Sequence, residues 1–258
     1  ASAPDVLVLQ EVRADEKTAS DLLPGYRSEV WPCRIKGRAG VAVAVREGSV
    51  VAVGEVRRGV ALPDTVEPDV DSGRWLEGDL AVEGTPGSDG AGRHTLTVVS
   101  AYLHSGQLGT EKMDQKYAHL ELVDARMAEL LASSESGGPQ VVMAGDLNVV
   151  RSEQDIKNWK PNHNKTAGVM DEEISHLENW FSAGWVDVAR SLAPREQGPY
   201  TWWSQRGKAF DNDAGWRLDY QVTTPRLAKR ASSFTVDRAD SYAARWSDHA
   251  PLVIDYAF

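Results

Sequence analysis

Short apolar runs recur along this chain, and each is closed by a polar residue or a glycine. Val6-Leu7-Val8-Leu9, Val141-Val142-Met143 and Leu252-Val253-Ile254 are unbroken and of strand length, the pattern of strands buried on both faces. Thr95-Leu96-Thr97-Val98 alternates instead, as a strand with one wet face does. Strands are expected over Asp5 to Gln10, Gly40 to Val45, Trp75 to Val82, Thr95 to Tyr102, Val141 to Gly145, Leu218 to Thr223 and Pro251 to Tyr256. Two segments carry a helical period. From Glu111 to Leu131, Met113, Tyr117, Leu120, Val123, Met127 and Leu130 recur every three or four residues, and Gly137-Gly138-Pro139 ends the region. From Asp171 to Ala183, Ile174, Leu177, Trp180 and Phe181 share a face, and Gly184 is suited to a left-handed C-terminal position. Mixed buried and alternating strands with long helices between them predict two packed sheets flanked by helices rather than a doubly wound parallel sheet.

No Pro/Gly/Ser-rich linker divides the 258 residues, so a single domain over 1–258 is expected, with the Gly-rich stretch from Gly84 to Gly92 read as an exposed hairpin loop. Internal repeats, a long heptad pattern, a phosphate-binding Gly-rich loop and a long apolar segment are absent from the sequence. The single cysteine, Cys33, cannot form an internal disulfide. The setting that fits is soluble, reducing and cytoplasmic, with no membrane partner and a monomeric chain.

A formal charge of -10 argues against non-specific coating of nucleic acid but leaves room for a local basic groove. Between Ile156 and Met170 the chain carries Lys157, Lys160, Lys165 and His163 with no acid, interleaved with Trp159, Asn162 and Asn164. From Trp202 to Arg217 the chain mixes Arg206, Lys208 and Arg217 with Trp202, Trp203 and Trp216. Basic residues among aromatics suit a loop that follows a phosphate backbone, although solvated lysines and surface tryptophans give the same composition.

Polar residues stand at the mouths of the strand-like runs: Glu11, Asp146 with Asn148, Asp219, and Asp248 with His249. Singly each has a plain structural reading: a solvated strand end for Glu11, an Asx turn for Gly145-Asp146-Leu147-Asn148, a turn or cap for Asp248 and packing for His249. Together, carboxylates, an amide and one imidazole are the groups needed to hold a divalent cation and drive water into a phosphodiester.

In this order they resemble the exonuclease III family of abasic-site endonucleases, within the larger endonuclease/exonuclease/phosphatase group. The resemblance rests on Pro4-Asp5-Val6-Leu7-Val8-Leu9-Gln10-Glu11, Gly40-Val41-Ala42, Ser100-Ala101-Tyr102, Gly145-Asp146-Leu147-Asn148, Gly215-Trp216-Arg217-Leu218-Asp219-Tyr220 and Ser247-Asp248-His249-Ala250-Pro251, and spans nearly the whole chain. It implies an α/β fold, a four-layer sandwich of two mixed sheets flanked by helices, and a metal-dependent DNA-repair hydrolase. Such an enzyme cuts duplex DNA on the 5′ side of abasic sites, leaves a 3′-hydroxyl, and often also removes nucleotides or blocked 3′ ends.

By the same resemblance Glu11 corresponds to the principal metal carboxylate, with Mg²⁺ as the ion and Mn²⁺ as an alternative, and Asp248 stands on the metal side. Asp146 corresponds to the residue that orients and deprotonates water, Asn148 to its partner, and His249 to the phosphate contact held by Asp219. Tyr102 is a phosphate contact or donor. Trp202, Trp216 and Leu218 match the wall of a pocket for an extruded abasic sugar, and Asn162 or Asn164 contacts phosphate. The resemblance places the enzyme with the chromosome, in a cytoplasmic, nucleoid-associated setting.

The sequence departs from the pattern twice. The family's additional first strand, which carries an asparagine, precedes the Pro-Asp-Val segment in relatives and has no counterpart here, where the sequence starts at Ala1-Ser2-Ala3-Pro4. Leu103-His104-Ser105-Gly106 stands where a proline and an amide residue are common, and His104 reads as an exposed loop histidine. Two other functions stay open on the sequence: a phosphoesterase of the same fold acting on a small phosphate ester or lipid headgroup, and a catalytically impaired DNA-binding protein.

Overall fold

The computed structural model describes residues 3–38, 40–49, 51–60, 66–84 and 92–258. In chain order its strands and helices begin with β1 (Val6–Val12), α1 (Glu16–Leu22), β2 (Tyr26–Trp31), β3 (Gly40–Arg46), β4 (Val51–Arg58), β5 (Trp75–Glu83) and β6 (Arg93–Tyr102). They continue with α2 (Glu111–Glu135), β7 (Gln140–Asp146), α3 (Trp159–Asn162), α4 (Asp171–Ala183), β8 (Val186–Asp187) and α5 (Val188–Leu192). The last are β9 (Asp219–Thr223), α6 (Pro225–Ala228), β10 (Ala231–Val236) and β11 (Leu252–Tyr256).

A six-stranded sheet in the order β4-β5-β6-β7-β9-β8 is the backbone of the fold. It is mixed, because β6 and β7 run parallel while the other pairs are antiparallel. Helices α2 and α4 cover one face, where Leu120, Val123, Met127, Leu177 and Trp180 close over Val99, Met143 and Val222. The opposite face meets an antiparallel sheet in the order β1-β3-β2, and a β10-β11 hairpin adds Tyr256 to the same core. The layer opposite the large sheet thus consists of two separate antiparallel sheets, and mixed pairing is confined to the six-stranded one.

Strand β3 shows how sequence sets this layering. In Val41-Ala42-Val43-Ala44-Val45 the valines point between the sheets, against Leu76, Leu80 and Val98. Ala42 points the other way, to Ala19 of α1 and Val30 of β2, where a small side chain lets the helix approach. Each large apolar side chain removed from water in this way contributes about 1.5–3 kcal/mol. The result is the expected sandwich: α1, the antiparallel layer, the six-stranded sheet, then α2 and α4.

All seven expected strands are present. Four were not foreseen, because β2 and β10 interrupt their apolar residues with polar ones, β4 is broken by Gly54, and β8 is only two residues long. The hairpin loop expected from Gly84 to Gly92 lies mostly outside the described residues, though β5 and β6 on either side do pair antiparallel and Gly84 N–H donates to the Gly92 carbonyl. The alternation in β6 does not mark a wet face. Thr97 is buried and donates to Asp79, which joins Glu77, Arg57 and Arg126 in an ion network on that face. Among the described residues no helix is long and apolar enough to cross a membrane.

Candidate active site

Strand register alone brings three of the expected residues into one row. Tyr102, at the end of β6, stands opposite Asp146, at the end of β7, and Asp146 stands opposite Asp219, the first residue of β9. The preceding residue must be glycine. Gly145 has φ +147°, and a Cβ there would meet the Ala101 carbonyl oxygen at 1.9 Å. Beyond Asp146 the chain turns through Asn148, whose φ of 51° is left-handed. Asn148 donates its backbone N–H to Asp146 Oδ1 at 2.9 Å, and its side-chain amide to Asp146 Oδ2 at 2.9 Å and the Leu103 carbonyl at 3.0 Å. The segment is therefore an Asx turn and, at the same time, a device that fixes an amide beside a carboxylate.

His249 reaches this row from the turn before β11. Its Nδ1 lies 2.8 Å from Asp219 Oδ2, and its Nε2 faces Asp146 Oδ2 at 3.9 Å. Burial would push the imidazole down, but the charge and hydrogen bond of Asp219, with Asp146 and Asp248, raise it to about 10. Burial raises Asp146 well above the usual carboxylate range, and the like charge of Asp219 adds to this against the opposing pull of His249, the Asn148 N–H and Lys116. The cluster thus couples a fixed imidazolium to a carboxyl group that takes a proton readily.

Glu11 sits where β1 breaks its register against β3, in a left-handed conformation with φ 55°. It accepts a hydrogen bond from the Tyr102 hydroxyl at 2.8 Å, and Arg13 lies 4.0 Å away. Burial, then the charge of Glu11, keeps the Tyr102 phenol protonated well beyond its ordinary range. Asp248 Oδ2 accepts from Trp202 Nε1 at 3.1 Å, and its backbone carbonyl accepts from Trp203. Among the described residues, Glu11, Asp146 and Asp248 do not form a tight three-ligand group. The 54% exposed carboxylate of Glu11 nevertheless fits Mg²⁺, which takes one or two protein oxygens and fills its other positions with water and substrate phosphate.

The expected pocket residues also come together. The rings of Trp202 and Trp216 meet edge-on with centroids 5.6 Å apart, and both pack against a cluster containing Leu218, Val150, Ile156 and Val169. Backbone bridges link Trp202 to Trp216 and to His249, so this wall is tied through the main chain to the residue that carries the imidazole. Asn162 and Asn164 are committed within their own loop: Asn162 donates to the Asn158 carbonyl and accepts from Thr166, and Asn164 exchanges two hydrogen bonds with Asp171. Beside them Trp159 stacks on His163 at 4.2 Å, and an open groove of about 400 Å³ runs along Lys157, Trp159 and Lys160.

Two sequence expectations are corrected. Arg217 is no DNA contact: it is 1% exposed and bonded to Asp155 at 2.6 Å and Asp187 at 2.8 Å, buried carboxylates that demand a cation. His104 is buried rather than exposed, because it hydrogen-bonds Asp71 at 2.7 Å beneath the loop.

Supporting residues were missed. Thr201 Oγ1 accepts from the backbone N–H groups of Leu218 and Asp219, and its carbonyl accepts from Ala250, so it ties the start of β9 to the His249 turn. Lys116 is fully buried, paired with Glu173 at 2.5 Å, and donates to the Asn148 carbonyl at 2.9 Å. Its signal was present in the sequence: Lys116 occupies the apolar stripe of α2 between Met113 and Leu120, where a lysine needs a buried partner.

The fold and the row at its sheet ends define a four-layer α/β sandwich with an acidic, imidazole-bearing cleft. The chain belongs to the Endonuclease/Exonuclease/phosphatase family, a metal-dependent group whose sequence pattern matches residues 1–249. It is 28% identical over 249 residues to an exodeoxyribonuclease of Bacillus subtilis (strain 168), covering 96% of this chain and 86% of that protein. An exodeoxyribonuclease of Streptococcus pneumoniae serotype 4 is 29% identical over 264 residues, with 97% and 86% covered. The structure of an AP endonuclease from Archaeoglobus fulgidus superposes with a TM-score of 0.76 at 25% identity, covering 98% of this chain and 89% of that one.

Proposed function

We propose that this chain is a DNA-repair nuclease that hydrolyses the phosphodiester on the 5′ side of an abasic site in duplex DNA and leaves a 3′-hydroxyl. The observation that carries the proposal is the contact between the Asp146, Asp219 and His249 row and the Trp202, Trp216 and Leu218 wall, a hydrolytic cluster beside an apolar pocket. The exodeoxyribonuclease and AP endonuclease relatives support it. Removal of nucleotides or blocked groups from 3′ ends uses the same site, because each step breaks the same bond type.

Asp146, held in place by the Asn148 amide, takes a proton from the attacking water, and the raised proton affinity of Asp146 suits that task. His249, held as an imidazolium by Asp219, donates from Nε2 to a non-bridging phosphate oxygen as charge accumulates there. Tyr102 donates its one hydroxyl proton to Glu11 and so holds that carboxylate at the phosphate region. The water oxygen bonds to phosphorus, the bond to the 3′ oxygen breaks, and that oxygen leaves as an alcohol after gaining a proton. Glu11 and Asp248 would hold Mg²⁺, or Mn²⁺ in its place, which when bound offsets phosphate charge.

An abasic sugar is already unstacked and costs least to extrude, and the tryptophan wall is suited to a base-free deoxyribose. The basic loop around Trp159 offers charge to the flanking backbone despite the acidic whole. In this reading residues 1–258 act as one monomeric catalytic unit, at the chromosome in the cytoplasm.

The test is an end-labelled duplex with one tetrahydrofuran abasic analogue, which blocks β-elimination, incubated with Mg²⁺ or with chelator. Mg²⁺-dependent incision just 5′ of the analogue with a 3′-hydroxyl is expected. Binding without incision, or equal hydrolysis of a small phosphate ester, would overturn the proposal.

A further inference from the structure

A second group of ligating side chains lies behind the active-site row. Asp71, on a 3-10 turn before β5, meets His104, two residues past β6, and His119, in the middle of α2. All three are buried, and their ligating atoms lie within 4.8 Å of one another. His104 Nε2 is 2.7 Å from Asp71 Oδ1, and the two imidazoles meet edge-on with centroids 5.2 Å apart.

His119 is 1% exposed, and neither ring nitrogen has a hydrogen-bond partner among the described residues. Evolution seldom leaves two such nitrogens unsatisfied in an apolar helix face, and an ion or a bound water is the ordinary reason when it does. Arg74, three residues after Asp71, is directed elsewhere: it donates to the carbonyls of Val70 and Tyr102.

We propose that Asp71, His104 and His119 form a buried structural site for a transition metal of the Zn²⁺ class, separate from the Mg²⁺ that Glu11 would hold. Two imidazoles and one carboxylate are a Zn²⁺ donor set, completed by water, whereas Mg²⁺ avoids nitrogen. The ion would add a common tie at the side chains of three segments already linked by the His104–Asp71 bond, by Arg74 to the Tyr102 carbonyl and by Lys116 to the Ser105 carbonyl. Two of them reach the active site: the loop of His104 begins at Tyr102 and gives the Leu103 carbonyl to Asn148, and α2 carries Lys116 to the Asn148 carbonyl. Loading the site therefore braces Tyr102 and Asn148 from behind.

The experiment uses the full chain, stripped with chelator and titrated with Co²⁺ as a visible probe of coordination. One equivalent is expected to give the strong absorption of a tetrahedral nitrogen-bearing site, displaced by Zn²⁺ and not by Mg²⁺, with a rise in Tm. His119→Leu, which removes both unpartnered nitrogens and suits the helix face, and Asp71→Asn should lose that absorption and the Tm response. Because a poorly folded variant would also lose the absorption, X-ray absorption of the Zn²⁺-loaded wild type gives an independent reading, with two imidazoles expected around the ion. Absence of tetrahedral Co²⁺ absorption, its survival in His119→Leu, or an oxygen-only shell would each overturn the proposal and leave the cluster as a hydrogen-bonded strut around water.

Discussion

Replacing Asp219 by Asn keeps an acceptor beside His249 but deletes a charge that acts on two neighbours at once. Asp219 Oδ2 lies 2.8 Å from His249 Nδ1, and across the β7–β9 pair it faces Asp146. At an effective dielectric of about 20, unit charges about 4 Å apart interact by about 4 kcal/mol, equivalent to about three pKa units. His249, raised to about 10 in the wild type, should fall by about two to three units in the variant. Asp146 should fall too, because its burial persists while the adjacent like charge is gone.

Single-turnover incision across the pH range reads both groups, with an acid limb from Asp146 and an alkaline limb from His249. In Asp219→Asn both limbs should slide to lower pH. Stability follows the same sign. The folded pKa of His249 is raised above its unfolded value, so its contribution is complete below about pH 6.5 and is lost as pH climbs through about 10. The variant should lose that contribution at lower pH, which denaturation at neutral and alkaline pH would record. An alkaline limb that does not move would refute the imidazolium assignment. A purely structural loss would lower the plateau without moving either limb.

Three further variants probe other parts of the account. His249→Ala should reduce incision by about 100- to 1000-fold, the usual cost of a lost transition-state donor, while binding of the abasic duplex in chelator changes little; loss of folding would instead mark a structural histidine. Arg217→Met should cost about 3–5 kcal/mol of stability in denaturant melts, because Asp155 and Asp187 lose their shared cation. The DNA affinity of its folded fraction should match the wild type, and a selective loss of affinity would contradict the buried role. Trp202→Ala should remove about 1–3 kcal/mol of preference for abasic over intact duplex in competition assays, and an unchanged preference would show that the tryptophan wall is not the pocket.

The sandwich was legible because buried strands announce themselves as unbroken apolar runs and because α2 and α4 keep a helical period. Strands such as β2 and β10 were hidden, since their stability comes from neighbours rather than from their own mixed sequences. Register converted strand-end residues far apart in sequence into the Tyr102, Asp146 and Asp219 row, a step that no local pattern encodes. Arg217 misled because a buried arginine and a DNA-facing arginine look alike until Asp155 and Asp187 are seen beside it. Lys116 and His119 were readable in principle as polar residues on an apolar stripe, but the partner of Lys116 came from α4 and the neighbours of His119 from the turn before β5 and the loop after β6. The identity of an anchoring group such as Thr201 lay beyond sequence reasoning, because its work is a pair of backbone hydrogen bonds across the cleft.

The most direct test of the central claim is incision of the tetrahydrofuran duplex in ¹⁸O-water with Mg²⁺, followed by mass spectrometry of both fragments. Direct attack by water on phosphorus predicts one ¹⁸O in the 5′-phosphate of the abasic fragment and an unlabelled 3′-hydroxyl on the other. An unlabelled phosphate, or a phosphate left on the 3′ end, would contradict the account.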